Sequence, residues 1–214
     1  MYQTMATAGA ATSTSETPVG VQVGTGVRVV AVTKDFTEGP LQSSSADLDL
    51  AVEGAGFFEV GMPDGTSAYT RNGNFHLTAA GQVVTAEGYP VAGFPAIDTQ
   101  ATAIDIANDG TVSAVLNGVS TVQGRIRLVR FANAEGMTAL GHTLFAANDA
   151  SGEARTGDPG ANGYGQISQG FLESSNVKIV NEMVDLIAAQ RAYELISKSI
   201  RTADEMLRIA NSIR

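Results

Sequence analysis

From Val19 to about residue 172, hydrophobic and polar residues alternate in a series of short segments, and this period changes near residue 173. A period of two predicts β-strands with one buried face. Residues 48–60 are an example, because Leu48, Leu50 and Val52 lie on one face of the predicted strand. No segment of this part of the chain keeps a helical period for long, so the pattern predicts a succession of short strands.

Short glycine-containing segments separate these strands, as turns of an antiparallel sheet would. They are PDGT at 63–66, RNGN at 71–74, AAGQ at 79–82, AEGY at 86–89 and NDGT at 108–111. Asp-Gly and Asn-Gly are strong hairpin signals, because both central residues of a type I′ turn need a positive φ. The segment RIRLVRF at 125–131 predicts another alternating strand. Together these patterns predict an antiparallel, all-β body.

The last part of the chain predicts one long helix. No Gly or Pro occurs from Val177 to Ile213, a length of about 55 Å if helical. Ser174, Ser175 and Asn176 are candidate caps. The apolar positions form one seam: Ile179, Leu186, Ala189, Tyr193, Ile196, Ile200, Ala203, Leu207 and Ala210.

From Leu186 onward, the spacings of this seam alternate between three and four residues, which is the heptad repeat of a coiled coil. The seam could instead cover the core of its own domain. A body of short strands offers no surface of that length, so the heptad favours partner helices.

The N-terminal residues have a different composition. Residues 3–18 are small and polar and cannot bury enough apolar area to fold alone. They are expected either to be disordered in an isolated chain or to be held by a neighbouring subunit. Val19, Val21, Val23, Val27 and Val29 then alternate as in a strand. The predicted organisation is an extended, strand-like stretch at 1–46, a β-rich domain at 47–172 and a heptad helix at 173–214.

Charge and composition exclude several classes of function. The net charge is −9, and residues 1–172 hold 7 basic and 16 acidic side chains, whereas 173–214 hold 6 of each. An acidic body without a basic patch argues against nucleic acid and anionic lipid as partners. No run of apolar residues is long enough to predict membrane insertion, and the first 20 residues lack the features of a secretory signal peptide.

The residue inventory predicts neither catalysis nor cofactor binding. The chain has no cysteine, which excludes disulfides and thiolate metal sites. Its two histidines, His76 and His142, occur without a HExxH motif or paired metal-ligand spacing. No GxSxG nucleophile elbow is present. We therefore expect a protein that is not an enzyme and that has no metal or cofactor site.

Three segments resemble the bacterial flagellar rod and hook proteins: VEGAGFFEV at 52–60, GTSAYTRNGNFHLTAAGQVVTAEGYPV at 65–91 and GFLESSNVKIVNEMVDLIAAQRAYELISKSIRTADEML at 170–207. The matching motif of the β body comprises Gly54, Gly56, Phe57, Phe58, Tyr69, Thr70, Arg71, Asn72 and Gly73. The segment GVQVGTGVRV at 20–29 and the QRAYEL helix are most similar to the distal rod member of that family.

The resemblance implies a structural subunit of the flagellar distal rod. Such subunits polymerise helically into the drive shaft that transmits torque across the periplasm to the hook. In that family the β-rich domain forms the outer wall, and N- and C-terminal helices form an inner coiled coil. It implies self-association, contacts with proximal rod proteins, hook protein and surrounding ring proteins, and export by the flagellar type III pathway. The family's N-terminal helix has no counterpart here, which suggests either a truncated chain or a misassigned start codon.

Other assignments remain open from the sequence. The chain could be a hook or proximal rod protein of the same family, or a secreted β-rich binding module with an oligomerisation helix. Phe57, Phe58 and Tyr69 are expected in the core of the β body, since aromatic strand residues usually pack inward. The charges that flank the seam are either a solvated face or partners in pairs between subunits: Arg191, Lys198, Arg201 and Arg208.

Overall fold

The computed structural model describes residues 33–212 and four short strand segments before them, with side chains described for residues 33–206, 208 and 209. The strands are β1 (Tyr2–Ala6), β2 (Ala11–Thr12), β3 (Ser15–Glu16), β4 (Val21–Gly24), β5 (Leu41–Ser43), β6 (Leu50–Glu53), β7 (Phe58–Gly61), β8 (Ser67–Thr70), β9 (Phe75–Leu77), β10 (Val83–Thr85), β11 (Ala103–Ile106), β12 (Thr111–Leu116), β13 (Val119–Arg125), β14 (Leu128–Arg130), β15 (Thr138–Gly141), β16 (Leu144–Ala146), β17 (Arg155–Gly157), β18 (Gln166–Gln169) and β19 (Phe171–Glu173). A short 3-10 helix spans Ala134–Gly136, and the helix α1 spans Ile179–Ser212. The mainly β fold class with one long C-terminal helix is confirmed.

The chain divides into two compact units, residues 1–34 and 35–214. In the first unit β1 pairs antiparallel with β4, and β2 pairs antiparallel with β3. Three predicted strand positions lie outside the described residues: Val19, Val27 and Val29. Residues 35–46 belong to the second unit, with the β-rich body and α1.

The second unit is built from small antiparallel sheets. The largest has four strands in the order β15-β16-β8-β7, and β11, β12 and β13 form a three-stranded meander. Four further pairs join β9 with β10, β14 with β17, β6 with β18, and β5 with β19. Strands β6 and β5, near the start of the body, pair with β18 and β19 at its end. The two ends of the body are therefore joined by residues that are far apart in the sequence.

Most of the predicted turns are confirmed, but the turn at Asn72-Gly73 is wrong. Gly81, Gly88 and Gly110 have the positive φ of turn residues. Gly73 does not, and the strands on either side of it, β8 and β9, pair with other strands. A methyl group at Gly73 would overlap the main-chain carbonyl of Leu50. Glycine is needed here because this connection lies against the backbone of β6, and not for a hairpin.

The single strand predicted at 125–131 is also wrong. The segment divides between β13 and β14, which lie in different sheets. Leu128 and Val129 are both buried, so the alternation ends where the chain crosses from one sheet to the next. The amide of Ile126 donates to the carbonyl of Gly110 at this crossing.

The core consists of a main cluster and two smaller ones. Phe57 and Phe58 are both buried, and they contribute to different clusters because consecutive strand residues point to opposite faces. Phe58 stacks edge-on against Phe75 at 5.0 Å between ring centroids, and Tyr69 against Phe131 at 4.8 Å. The expectation that Phe57, Phe58 and Tyr69 lie in the core is confirmed.

Candidate assembly surface and its junction with the body

The helix α1 exposes nearly all of its apolar side chains. From Ile179 to Met206 every side chain is exposed except Ser197, which is partly buried. Tyr193 is 75% exposed and Leu186 is 60% exposed. The apolar stripe of a surface helix is normally covered by the core of its own domain or by a partner. This helix has the composition of a buried element and no covering element among the described residues of its own unit.

The predicted seam lies along this exposed surface. Its large members with described side chains are all more than half exposed: Ile179, Leu186, Tyr193, Ile196 and Ile200. Ala189 and Ala203 are exposed between them. The side chains of Leu207 and Ala210 lie outside the described residues. Among the described side chains of the second unit, none covers this seam, so it is available to a partner.

The sequence interpretation missed a second group of apolar residues on α1. With Leu186 at heptad position a, Val180, Val184, Ile187 and Leu195 fall at positions b, c and f, away from the a/d seam. They are between 48% and 72% exposed. The signal was present in the sequence, but a strict heptad selects only one stripe. Apolar side chains on two sides suit a helix with neighbours on two sides.

The helix begins later than predicted, and the predicted caps have other roles. Glu182 N donates to the carbonyl of Lys178, so the first helical turn starts after Asn176. The Asn176 side-chain amide instead donates to the hydroxyl and carbonyl oxygens of Thr37, at 2.9 and 3.1 Å. Asn176 therefore fastens the segment that leads from the body to α1 to the segment around Thr37, which precedes the body.

These two stretches, 35–43 and 171–178, form what we call the stalk. Strands β5 and β19 pair antiparallel within it, with Glu173 opposite Leu41. Ser174 N donates to the carbonyl of Pro40 at 3.0 Å. A methyl group at Gly39 would overlap the carbonyl of Ser174, so the two backbones can approach this closely only because residue 39 is glycine. The stalk thus connects the body to the start of α1 through paired backbone.

A local turn begins the stalk. Asp35 Oδ1 accepts a hydrogen bond from the Thr37 amide at 2.8 Å. Bonds from the backbone amide and then the hydroxyl of Thr37 lower the pKa of Asp35 below its usual value. The carboxylate is therefore ionised at neutral pH and accepts these bonds.

Arg71, from the family motif, anchors the stalk to the body. Its Nε donates to Glu173 Oε2 at 2.8 Å, and the two side chains are only 14% and 12% exposed. Its terminal nitrogens donate to the carbonyls of Gly54 at 2.9 Å and Val52 at 3.0 Å. The other carboxylate oxygen, Glu173 Oε1, accepts from Gly39 N at 3.0 Å. One ion pair thus links the body to both stretches of the stalk.

A cleft of about 260 Å³ lies beside this ion pair, between the stalk and the body. The rings of Phe36, Phe57 and Phe131 line it, with Arg71 and Arg130 at its polar side. Each nitrogen of the Arg71 guanidinium already donates to a main-chain carbonyl or to Glu173. Among the described residues, no group of His, Asp and Glu side chains has an arrangement that could hold a metal ion.

The remaining motif positions have structural roles near Arg71. Gly54 has φ +108°, and Gly56 approaches the Leu128 side chain. Thr70 is buried, and its hydroxyl accepts a hydrogen bond from the Asn72 amide at 3.0 Å. The structure thus brings four residues of the motif to the cleft beside the stalk: Gly54, Gly56, Phe57 and Arg71.

Comparison with known proteins identifies the class to which this arrangement belongs. Residues 51–114 match the family described as the flagellar hook protein FlgE/F/G D1 domain, and residues 168–213 match the flagellar basal body rod FlgEFG protein C-terminal family. The first match falls in the β body, and the second covers the end of the body and α1. The chain belongs to the family of flagellar hook and basal-body rod proteins.

Individual relatives refine this assignment. The flagellar basal-body rod protein FlgG of Buchnera aphidicola subsp. Acyrthosiphon pisum is 44% identical over 97% of this chain and 81% of its own length. FlgG of Borreliella burgdorferi is 42% identical over the whole of this chain and 83% of its own. FlgF of Caulobacter vibrioides is less similar, at 36% over 84% of this chain and 70% of its own length. No helix among the described residues is long and apolar enough to cross a membrane.

Proposed function

We propose that this chain is a structural subunit of the flagellar distal rod, which polymerises helically and transmits motor torque to the hook. The observation that supports this most strongly is α1, a 34-residue helix with large apolar side chains exposed on two sides. Burial of such side chains contributes roughly 25 cal/mol per Å² of apolar area removed from water. Helices of neighbouring copies can provide that burial along the full length of α1.

The stalk supports the mechanical part of this proposal. Torque passes between an outer wall and an inner tube only if the connection between them resists bending. Paired backbone, the Asn176 contacts and the Arg71–Glu173 ion pair all restrain that connection. The contacts between copies are heterologous, because a head-to-tail contact that does not close gives an open filament. The β-rich body then faces outward, and α1 lines the inside.

The proposed partners and place in the cell follow from that role. We propose that the subunit contacts other copies of itself, the proximal rod proteins, the hook protein and the ring proteins around the rod, after export by the flagellar type III pathway. Within the N-terminal stretch 1–46, residues 35–43 pair with the chain's own 171–178, and the part before them is proposed to lie along adjacent subunits. No enzymatic activity is proposed. A hook or proximal rod role in the same family is the second candidate, favoured by the FlgF relative.

Deletion of the gene in its source bacterium tests the proposal. We expect basal bodies whose rod stops short and which carry no hook, imaged in place by cryo-electron tomography. A complete rod without a hook would assign the protein to the hook instead. Intact flagella on swimming cells would refute a rod function.

A substitution in the seam tests the role of α1. Ile200 is 57% exposed and has no part in the core of the body. Ile200→Asp is therefore expected to abolish rod assembly while the body keeps its thermal unfolding midpoint. Ser199→Asp, one residue away on the same exposed helix and at heptad position g, outside both the seam and the second apolar group, is the matched control and should leave assembly intact. Normal rods in the Ile200→Asp strain would count against the seam.

A further inference from the structure

The charged residues of α1 are balanced, unlike those of the acidic body. Between residues 178 and 208 there are five basic and five acidic side chains, and all of them are exposed. None of the ion pairs between described residues involves a side chain of α1. The exposed charges of the isolated helix are therefore available to a partner.

Opposite charges recur on α1 at a spacing of 16 residues. Lys178 and Glu194, Glu182 and Lys198, and Asp185 and Arg201 are each 16 residues apart, and each pair joins opposite signs. No two like charges between residues 178 and 208 have this spacing. Lys178 directly precedes α1 and its carbonyl accepts the first helical hydrogen bond, Glu182 and Asp185 lie in the first turns, and the second member of each pair lies in the middle of the helix.

Helix geometry decides where such pairs can form. Sixteen residues correspond to about 24 Å along the axis and to a rotation of about 160°, so the two members lie on nearly opposite sides of α1. They cannot meet within one helix. Two parallel copies related by translation present opposite sides to each other. An axial offset of 16 residues between them therefore brings all three pairs together.

Spacings of four and of seven residues do not place opposite charges, and only opposite charges, on opposite sides of the helix. A spacing of four residues also joins only opposite charges, but the rotation is about 40°, so these side chains share one side and can pair only within one helix. A spacing of seven residues places Arg191 against Lys198 and Arg201 against Arg208, both repulsive.

We propose that these charges set the axial offset between neighbouring copies of α1, with Glu182 and Asp185 of one copy facing Lys198 and Arg201 of the next. The proposal rests on the proposed function, in which copies of this chain polymerise. The contact is heterologous and repeats without closing, as a filament requires. Exposed ion pairs add little affinity singly, but complementary charges select register, because an incorrect offset brings like charges together.

Cross-linking measures the offset directly, because the chain contains no cysteine of its own. Glu182→Cys with Lys198→Cys in one full-length chain, treated in isolated basal bodies with a short bifunctional maleimide, should give a ladder of covalent oligomers. The two sites are too far apart on one rigid helix to react within a copy. Glu182→Cys with Glu205→Cys is the matched control, since residue 205 also lies across the helix from residue 182 but at a different offset.

Charge reversal provides a second readout in the same bacterium. The variant Glu182→Lys/Asp185→Lys and the variant Lys198→Glu/Arg201→Glu should each lose swimming, because like charges then meet at the contact. All four changes in one chain should restore it, as should coexpression of the two variants, whose faces are complementary. Asp204→Lys/Glu205→Lys is an equal reversal at positions that face alanines at this offset, and it should leave swimming unchanged.

The outcomes separate the register from the function. Equal ladders in the two cysteine variants, or no ladder in either while cells swim, would overturn the proposed offset, as would a failure of the charge swap to restore swimming. Either result would leave the rod function standing. Flagella that assemble without this gene would instead refute the function, and the register proposal with it.

Discussion

Replacement of Arg71 tests whether the ion pair at the base of the stalk stabilises the fold. Arg71→Met removes the cation, leaves the Glu173 carboxylate without its partner, and frees the carbonyls of Val52 and Gly54. Removal of one partner of a buried pair costs about 3–5 kcal/mol. Since both side chains keep slight exposure, at 14% and 12%, we take the lower end, ~3 kcal/mol.

This loss converts to a measurable shift in the unfolding temperature. For a unit of this size, each kcal/mol lowers the midpoint by about 2–4 °C, so Arg71→Met is expected to lower it by roughly 6–12 °C. Circular dichroism of the purified full-length chain at neutral pH measures the shift. Arg71→Lys should recover only part of the loss, because an ammonium group cannot reproduce the planar fork that contacts Glu173 and the carbonyls.

The chain contains its own control for this experiment. Arg125 pairs with Asp109 at 3.0 Å, but these two side chains are 48% and 53% exposed. Exposed ion pairs contribute about 0–1 kcal/mol, so Arg125→Met should shift the midpoint by only about 0–4 °C. Equal shifts for Arg71→Met and Arg125→Met would refute the reasoning that burial gives the Arg71 pair its weight.

Two further predictions concern the body. Gly73→Ala should lower the unfolding midpoint far more than Gly65→Ala. A methyl group at residue 73 overlaps the Leu50 carbonyl, whereas residue 65 has a positive φ but open space around it. Equal midpoints for the two variants would contradict the role of Gly73 in close backbone approach. The pKa of Asp109 should lie below 3.8 by NMR titration, because the backbone amide and then the hydroxyl of Thr111 bond the carboxylate, with Arg125 adding a smaller effect. Since the pKa of Asp109 is depressed in the folded state, the ionised carboxylate stabilises that state at neutral pH. This stabilisation is lost as the pH falls through the folded pKa. Thr111→Val should raise the pKa toward 3.8, and an unchanged pKa would exclude the hydroxyl bond as a cause.

The length and nature of α1 follow from the sequence alone. The predicted helix at Val177–Ile213 and the observed helix at Ile179–Ser212 differ by a few residues at their ends. Helical periodicity and the absence of Gly and Pro are local properties, so they can be read without knowledge of the fold. For the same reason, the turns at Gly81, Gly88 and Gly110 were predictable from their dipeptides and neighbours.

Asn-Gly dipeptides show where this local information ends. Asn72-Gly73 is not a hairpin, whereas Asn117-Gly118, which the sequence interpretation did not single out, has φ values of 50° and 81° and joins β12 to β13. Both dipeptides permit positive φ, but glycine is also required wherever another backbone lies against it. Only the position of Leu50 distinguishes the two cases.

For the same reason, only part of the candidate assembly surface and its junction with the body could be predicted from the sequence. The heptad seam, with Leu186 and Tyr193, was visible as a period in the sequence, because the contacts of a coiled coil repeat along one helix. The partner of Arg71 was not visible, since Glu173 lies 102 residues further along the chain. Their contact depends on how β5 and β19 return to the same edge of the body. The sequence alone therefore determined the elements and the exposed apolar surface of the helix, whereas only the tertiary structure decided how that helix is joined to the body, because long-range pairing leaves no local period.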